Sequence, residues 1–264
     1  MYDFTYHRPA TIDEAARLMA AASDGKYMSG GMTLIPTLKQ RLAQPSDVID
    51  LGGLNNSGIE LAGSTLVIRA GTIHEDVSLS ATVKQAIPAL AHLAGLIGDP
   101  HVRHRGTIGG SVANNDPAAD YPAACLGLGA TIRTNRREIA ADDFFVGLFE
   151  TALEDGEIIT EIAFPVPRRA GYVKFRNPAS RYAMVGVFVA DTGSGVRVAV
   201  TGAGPCVFRV PEMEQALTSG FTPQAVEAIR VSPDGLNSDI HASAEYRAHL
   251  VTVMAKRAVE QASR

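Results

Sequence analysis

Residues 11–22 place Ala15, Leu18, Met19 and Ala22 at helical spacing behind Thr11, with Glu14 three positions on, which predicts an amphipathic helix opened by a capping box. A short run, residues 26–29, leads into Gly30-Gly31, and Leu34, Leu38 and Leu42 then recur one helical face apart over residues 33–42. The order is strand, glycine turn, helix. Residues 47–51 (DVIDL) and 65–70 (TLVIRA) are runs rich in branched side chains bounded by Gly, Asn and Ser, so they read as strands and complete a βαβ-like opening. Residues 75–80 and 82–95 read as helical with a break near Pro88. They deliver the chain to a second glycine-rich stretch at 106–111, followed by a small apolar run at 123–129 and a strand at 131–133.

Pro165 and Pro167, followed by Arg168-Arg169, cannot continue a helix or a central strand, and they predict a boundary between a domain of residues 1–167 and one of residues 168–264. Beyond it, residues 172–176, 185–191 and 196–202 read as strands joined by turns such as Thr192-Gly193-Ser194-Gly195. Residues 222–230 and 245–261 read as helices. The second half is therefore α+β, an antiparallel sheet covered by helices. No apolar run approaches the roughly 20 residues that cross a bilayer, and the first nine residues have neither the basic nor the apolar region of a signal peptide, so the expected compartment is the cytoplasm.

A hydrophobic content of 46% with 20% charged residues and a formal charge of −4 gives an ordinary globular composition, which excludes a disordered chain and a surface built for nucleic acid. Cys125 and Cys206 are too few and too far apart for a disulfide framework, a zinc cage or an iron-sulfur cluster held by this chain. Glycine is abundant, at 25 residues, which directs attention to the two glycine stretches.

In Ser29-Gly30-Gly31-Met32-Thr33-Leu34 and in Thr107-Ile108-Gly109-Gly110-Ser111, consecutive glycines sit within two positions of a hydroxyl residue. Such a stretch serves either as a close-packing turn or as a cradle in which backbone amides and a hydroxyl converge on phosphate oxygens. The first also runs into a predicted helix, whose leading amides favour negative charge. Neither GxGxxG after a strand nor GxxxxGK[ST] occurs, so a Rossmann site and a P-loop are excluded. Asp116 and Asp120 lie on the proline-bounded segment DPAADYP, where they are either turn and helix caps or acceptors for ligand hydroxyls. His101 and His104 have an HxxH spacing without a third ligand and read as loop residues.

The runs SGGMTLIPTLKQRLAQPSDVIDL, GDPHVRHRGTIGGSVANNDPAADYPA and KFRNPASRYAMVGV together resemble the FAD-binding medium subunits of the molybdenum hydroxylases, the group of carbon monoxide dehydrogenase and xanthine dehydrogenase. The likeness spans the chain from FTYHRP to AEYRAHL. It implies a two-subdomain FAD-binding domain of the vanillyl-alcohol oxidase (PCMH) type, with subdomains of about 1–53 and 54–167, followed by a smaller C-terminal α+β domain. Both glycine stretches, Ser29 to Leu34 and Thr107 to Ser111, would embrace the FAD pyrophosphate. Asp120 would accept from ribityl or ribose hydroxyls, and Ile159 would touch the isoalloxazine. A cation, either Lys174 or Arg176, would approach the ring and stabilise negative charge on the reduced flavin. Met32 stands where relatives often carry a polar residue, and Tyr182 would either pack near the flavin or fill the second domain's core.

The resemblance also implies an oxidoreductase of several chains. A large molybdopterin subunit would carry out the substrate chemistry and an iron-sulfur subunit would pass the electrons on. This chain's FAD would deliver them to oxygen, a quinone or a nicotinamide, with the whole assembled as a dimer of heterotrimers. The rival readings are a stand-alone flavin oxidoreductase and a flavin-free interaction subunit.

Overall fold

The computed structural model describes residues 1–263. The chain begins with β1 (Thr5–His7), α1 (Ile12–Ala21), β2 (Gly25–Met28), α2 (Leu34–Lys39) and β3 (Asp47–Asp50), and the three strands form a parallel sheet ordered β1-β3-β2. The predicted capping box is formed: the Thr11 hydroxyl accepts from the Glu14 amide at 3.2 Å and the Glu14 carboxylate accepts from the Ala10 amide at 2.8 Å. Helix α1 lays Ala15 against Ile49 and Ile158. The second helix is shorter than its leucine spacing suggests. Arg41 takes a left-handed conformation (φ 61°), the chain turns away, and Leu42 is 74% exposed rather than aligned with buried Leu38.

The next part runs through β4 (Ile59–Ala62), β5 (Thr65–Arg69), α3 (His74–Leu79), α4 (Ala81–Ala86), α5 (Pro88–Gly95), α6 (Pro100–Arg103), α7 (Ile108–Asn114) and α8 (Tyr121–Leu128). It continues with β6 (Thr131–Thr134), β7 (Glu138–Ala140), α9 (Ala141–Phe144), β8 (Phe145–Gly147), β9 (Glu150–Thr151) and β10 (Ile159–Pro165). Five strands make an antiparallel sheet ordered β4-β5-β10-β6-β7, with β10 at its centre. Leu66, Ile68, Ile132, Ile162 and Phe164 alternate onto its covered face, as a period of two requires. Every residue of α8 is buried, which is why that segment is small and apolar on all sides.

The chain then crosses into β11 (Arg169–Arg176), β12 (Ala183–Asp191), β13 (Val196–Thr201) and β14 (Phe208–Arg209), an antiparallel sheet in sequence order, followed by α10 (Pro211–Ser219), α11 (Pro223–Glu227) and α12 (Ala244–Ala262). Strand β12 is apolar almost throughout because both of its faces are covered. Val185, Val187 and Val189 pack with Leu250, Met254 and Ala258 of α12, while Phe188 and Ala190 join the core built around α8. The two sheets thus share α8 as a common filling. Among the described residues, no helix is long and apolar enough to cross a membrane.

One carboxylate ties the β6–β7 turn to the segment entering β10. The Glu157 side chain is fully covered and accepts from the Arg137 guanidinium at 3.0 and 3.1 Å, the Thr134 hydroxyl at 2.7 Å and the Glu154 amide at 2.8 Å. The Arg137 hydrogen bonds hold its pKa down from 4.5 to about 2. A carboxyl whose pKa is lower folded than unfolded stabilises above its unfolded value and loses that contribution as pH falls through the folded one. Glu157→Gln is expected to cost about 1.5–3 kcal/mol at neutral pH, as for hydrogen bonds to a charged group. Urea denaturation of both proteins should show the gap closing as pH drops from 4.5 towards 2.

Candidate functional site

The parallel sheet, the five-stranded sheet and the C-terminal sheet surround a cavity of about 780 Å³, in the upper part of the roughly 300–1,000 Å³ span of ligand pockets. The first glycine stretch forms one wall. Met28 ends β2 and α2 begins at Leu34. Among the described residues, the five amides of Gly30, Gly31, Met32, Thr33 and Leu34 donate to no protein acceptor. Gly30 has no room for a side chain, since a Cβ there would lie 2.0 Å from the Arg105 carbonyl oxygen, and Gly31 adopts a positive φ of 73°. All six residues from Ser29 to Leu34 line the cavity.

The second stretch is built differently from the expectation of two equivalent cradles. It is the first turn of α7 with Thr107 as N-cap, and its amides from Ile108 to Ser111 are already used. Ile108 donates to Thr72 O at 3.0 Å, Gly109 to Ala70 O at 2.9 Å, Gly110 to the Thr107 hydroxyl at 3.1 Å and Ser111 to Thr107 O at 3.0 Å. Its glycines serve close packing, for a Cβ on Gly109 would sit 2.5 Å from that of Ala70. What the turn offers the cavity is a low wall at Gly109 and Gly110 and the hydroxyls of Thr107 and Ser111. The Thr107 hydroxyl is hydrogen-bonded to that of Ser29 at 2.8 Å, which joins the two stretches into one surface. Ile108 is a correction to the expected site: its side chain is fully buried in the core and is absent from the cavity wall, because successive side chains at a helix start point about 100° apart.

The two aspartates are held differently. Asp116 accepts from the Ala118 amide at 2.8 Å, a turn cap, and lines the cavity as well. Asp120 stands at the start of α8 but makes no capping bond. Instead its Oδ2 accepts from Lys174 Nζ at 2.9 Å and its Oδ1 from the Tyr172 hydroxyl. Burial pushes the Asp120 carboxyl up, and the Lys174 ammonium and the Tyr172 hydroxyl oppose that. Asp120 and Lys174 both line the cavity, and the Lys174 side chain, only 1% exposed, is held close behind the wall by its carboxylate partner.

Arg176 is the second correction. Simple alternation places it on the same face as Lys174, but the register slips between Phe175, paired with Val185, and Arg176, paired with Ala183. The extra residue of that slip is Met184 on β12, and Arg176 is exposed and off the cavity wall, although its charge still reaches Asp120 and Tyr172. Ile159, the first residue of β10, is 6% exposed and lines the cavity. Tyr182 is 49% exposed and also lines it, so it does not fill the second domain's core. His101 and His104 lie exposed on the single turn of α6.

Sequence reasoning passed over His74, a lone histidine in an unremarked GTIHED run. Its ring lines the cavity, stacks obliquely on Tyr121 at 5.4 Å, and is 4% exposed. Burial, aided by the Arg103 charge, pushes its pKa from 6.5 down to about 4 and keeps it neutral near pH 7. Five unengaged amides, hydroxyls on both glycine stretches, an apolar residue at Ile159 and an ammonium close behind the wall suit a dinucleotide with a diphosphate and a flat redox ring.

Comparison with known proteins points the same way. Residues 2–167 match the family model described as the FAD binding domain in molybdopterin dehydrogenase, and residues 170–262 match the CO dehydrogenase flavoprotein C-terminal domain. The nicotine 6-hydroxylase medium subunit of Paenarthrobacter nicotinovorans is 37% identical over 97% of this chain and 96% of its own. A solved structure of carbon monoxide dehydrogenase from Hydrogenophaga pseudoflava, lacking the Mo-pyranopterin moiety of its molybdenum cofactor, superposes with a TM-score of 0.90 at 35% identity, covering 98% of this chain and 97% of that one. Quinoline 2-oxidoreductase from Pseudomonas putida 86 superposes with a TM-score of 0.88 at 27% identity, covering 99% and 97%.

Two expectations follow for the cavity walls. A histidine whose pKa is lower folded than unfolded stabilises above its unfolded value of 6.5, and that contribution of about 3 kcal/mol drains away as pH falls towards 4; thermal denaturation of His74→Leu should show a flatter profile over that window than the parent. Gly30→Ala, which drives a Cβ onto the Arg105 carbonyl, should cost about 1–3 kcal/mol and lower the bound flavin content measured after purification.

Proposed function

The chain belongs to the family of FAD-binding medium subunits of molybdopterin dehydrogenases, and we propose that it is the electron-relay subunit of such an oxidoreductase, working between an iron-sulfur subunit and an external acceptor. The observation that carries this reading is the pairing, across one cavity, of the unengaged Gly30–Leu34 amides with the buried Lys174 ammonium. FAD, when bound, supplies reversible storage of two electrons.

The chain's own residues do the holding. The first-stretch amides and the hydroxyls of Ser29, Thr107 and Ser111 hold the diphosphate, and Gly109 and Gly110 let it approach the α7 turn. Ile159 and Tyr182 bound the ring apolarly, and Lys174 sets a positive charge against it. Asp120 keeps that charge neutralised in the wall and accepts from a ribityl or ribose hydroxyl with its remaining lone pairs. Residues 1–167 form the FAD-binding domain, itself two subdomains divided near residue 53, and the described residues of the C-terminal domain, 168–263, close the site from the other side.

In this reading the molybdenum cofactor and the iron-sulfur clusters sit on a large subunit and a small one, and the assembly is a cytoplasmic dimer of heterotrimers. Substrate identity belongs to the large subunit. The similar chains reported above serve enzymes named for nicotine, carbon monoxide and quinoline, which is expected if this fold relays electrons and leaves substrate chemistry to a partner.

Copurification of the chain with its partners, followed by absorption spectroscopy and chromatography of the released cofactor, tests the assignment. The expected result is FAD bleached by substrate only when the partner subunits are present. Bleaching by this subunit alone would make it a self-sufficient flavin oxidoreductase, and a complex that stays colourless with added FAD would leave it an interaction subunit.

A further inference from the structure

Strand β11 carries a large polar side chain that lies behind the cavity wall. Tyr172 is completely buried, and strand alternation puts it on the same face as Lys174 two residues later. A phenylalanine would fill this core position equally well; a buried hydroxyl must offset the loss of its water. It does so on one partner, Asp120 Oδ1, while Lys174 takes Oδ2. The neighbouring strand makes room for that hydroxyl. Gly186 of β12 lies beside it, and a Cβ there would stand 2.5 Å from Tyr172 Oη. The Tyr172 amide is fixed as well, donating to Gln261 Oε1 of α12 at 2.9 Å.

The hydroxyl does something a second cation would not. Asp120 is desolvated, and desolvation favours its neutral form. Lys174 opposes this with one positive charge, which balances the carboxylate. Tyr172 opposes it further with a donated hydrogen bond and no charge at all, its own ionisation being driven far out of reach by burial and by Asp120. The other titratable or charged groups that Asp120 acts on or feels are Tyr121 on α8, Tyr182 before β12 and Arg176 on β11. Among the described residues none of them hydrogen-bonds to Asp120, although the Arg176 charge also favours its ionised form.

We propose that Tyr172 is a positioning residue for the flavin site: its hydroxyl keeps Asp120 ionised and aligned, so that Lys174 presents to the bound flavin a balanced charge that does not change across neutral pH. The inference rests on the FAD reading above and deepens it. Without the hydroxyl, the Asp120 carboxyl takes up a solvent proton closer to neutral pH. Below that point the Lys174 ammonium is unbalanced, and placing negative charge on the neighbouring ring becomes easier.

The test is a redox titration of the FAD in the purified complex over a pH series, for the parent and for Tyr172→Phe. The variant's midpoint potential should lie above the parent's on the acid side of neutrality and converge with it on the alkaline side. Gly186→Ala, whose Cβ displaces the hydroxyl without removing it, should give the same acid-side rise and decides the matter if Tyr172→Phe fails to assemble. Potentials that match the parent at every pH, or a constant offset at every pH, would overturn the role given to Tyr172. A parent complex that binds no FAD would instead overturn the reading of the site itself.

Discussion

A carboxylate and an ammonium are costly to strip of water, and a fold keeps such a pair inside only where each supplies the other's missing partner. Asp120 and Lys174 meet at 2.9 Å with side-chain exposures of 5% and 1%, and they come from opposite sides of the molecule's main seam. Asp120 sits where α8 begins and Lys174 sits on β11, the first strand after the chain crosses into its C-terminal sheet. The pair is satisfied only when α8 is seated against that sheet. The apolar packing of Phe188 and Ala190 on the α8 core and the ion pair therefore demand the same arrangement. Removing either charge would strand the other in the wall, so the seam and the cavity stand or fall together.

The same seam explains the division of labour between the glycine stretches. The Ser29–Leu34 stretch lies between a parallel strand and a short helix, with its amides from Gly30 to Leu34 unengaged; the Thr107–Ser111 turn is pressed against the end of β5 and spends its Ile108 and Gly109 amides on Thr72 and Ala70 and the next two on Thr107. One stretch supplies hydrogen-bond donors. The other supplies closeness, a hydroxyl and a rigid floor, and the Ser29–Thr107 hydrogen bond keeps the two in register.

Much of this was legible from residue pattern. The capping box at Thr11 and Glu14, the βαβ opening, the break at Pro88 and the apolar strand at 185–191 follow from local rules that tertiary structure did not override. The resemblance drawn from the glycine stretches gave the family. What stayed hidden depended on events with no local signature. Lys174 is buried and lines the cavity while Arg176, two residues on, is exposed and off its wall, a difference that strand alternation does not show. A left-handed Arg41 exposes Leu42. Tertiary bonds from Ile108 and Gly109 consume amides that composition alone would leave free. His74 and Tyr172 announce themselves only through what surrounds them, since a single histidine or tyrosine in an apolar run carries no spacing to read.

If the cavity holds FAD as proposed, the first glycine stretch alone supplies the backbone amides of the diphosphate site, and Lys174 marks the flavin end. An experimental density map of the FAD-loaded complex tests it most directly. The expected result is diphosphate oxygens within about 2.7–3.2 Å of amides between Gly30 and Leu34, with the ring edge beside Lys174. A diphosphate held instead by the amides of Ile108 to Ser111, with the Gly30–Leu34 amides still unengaged, would contradict it.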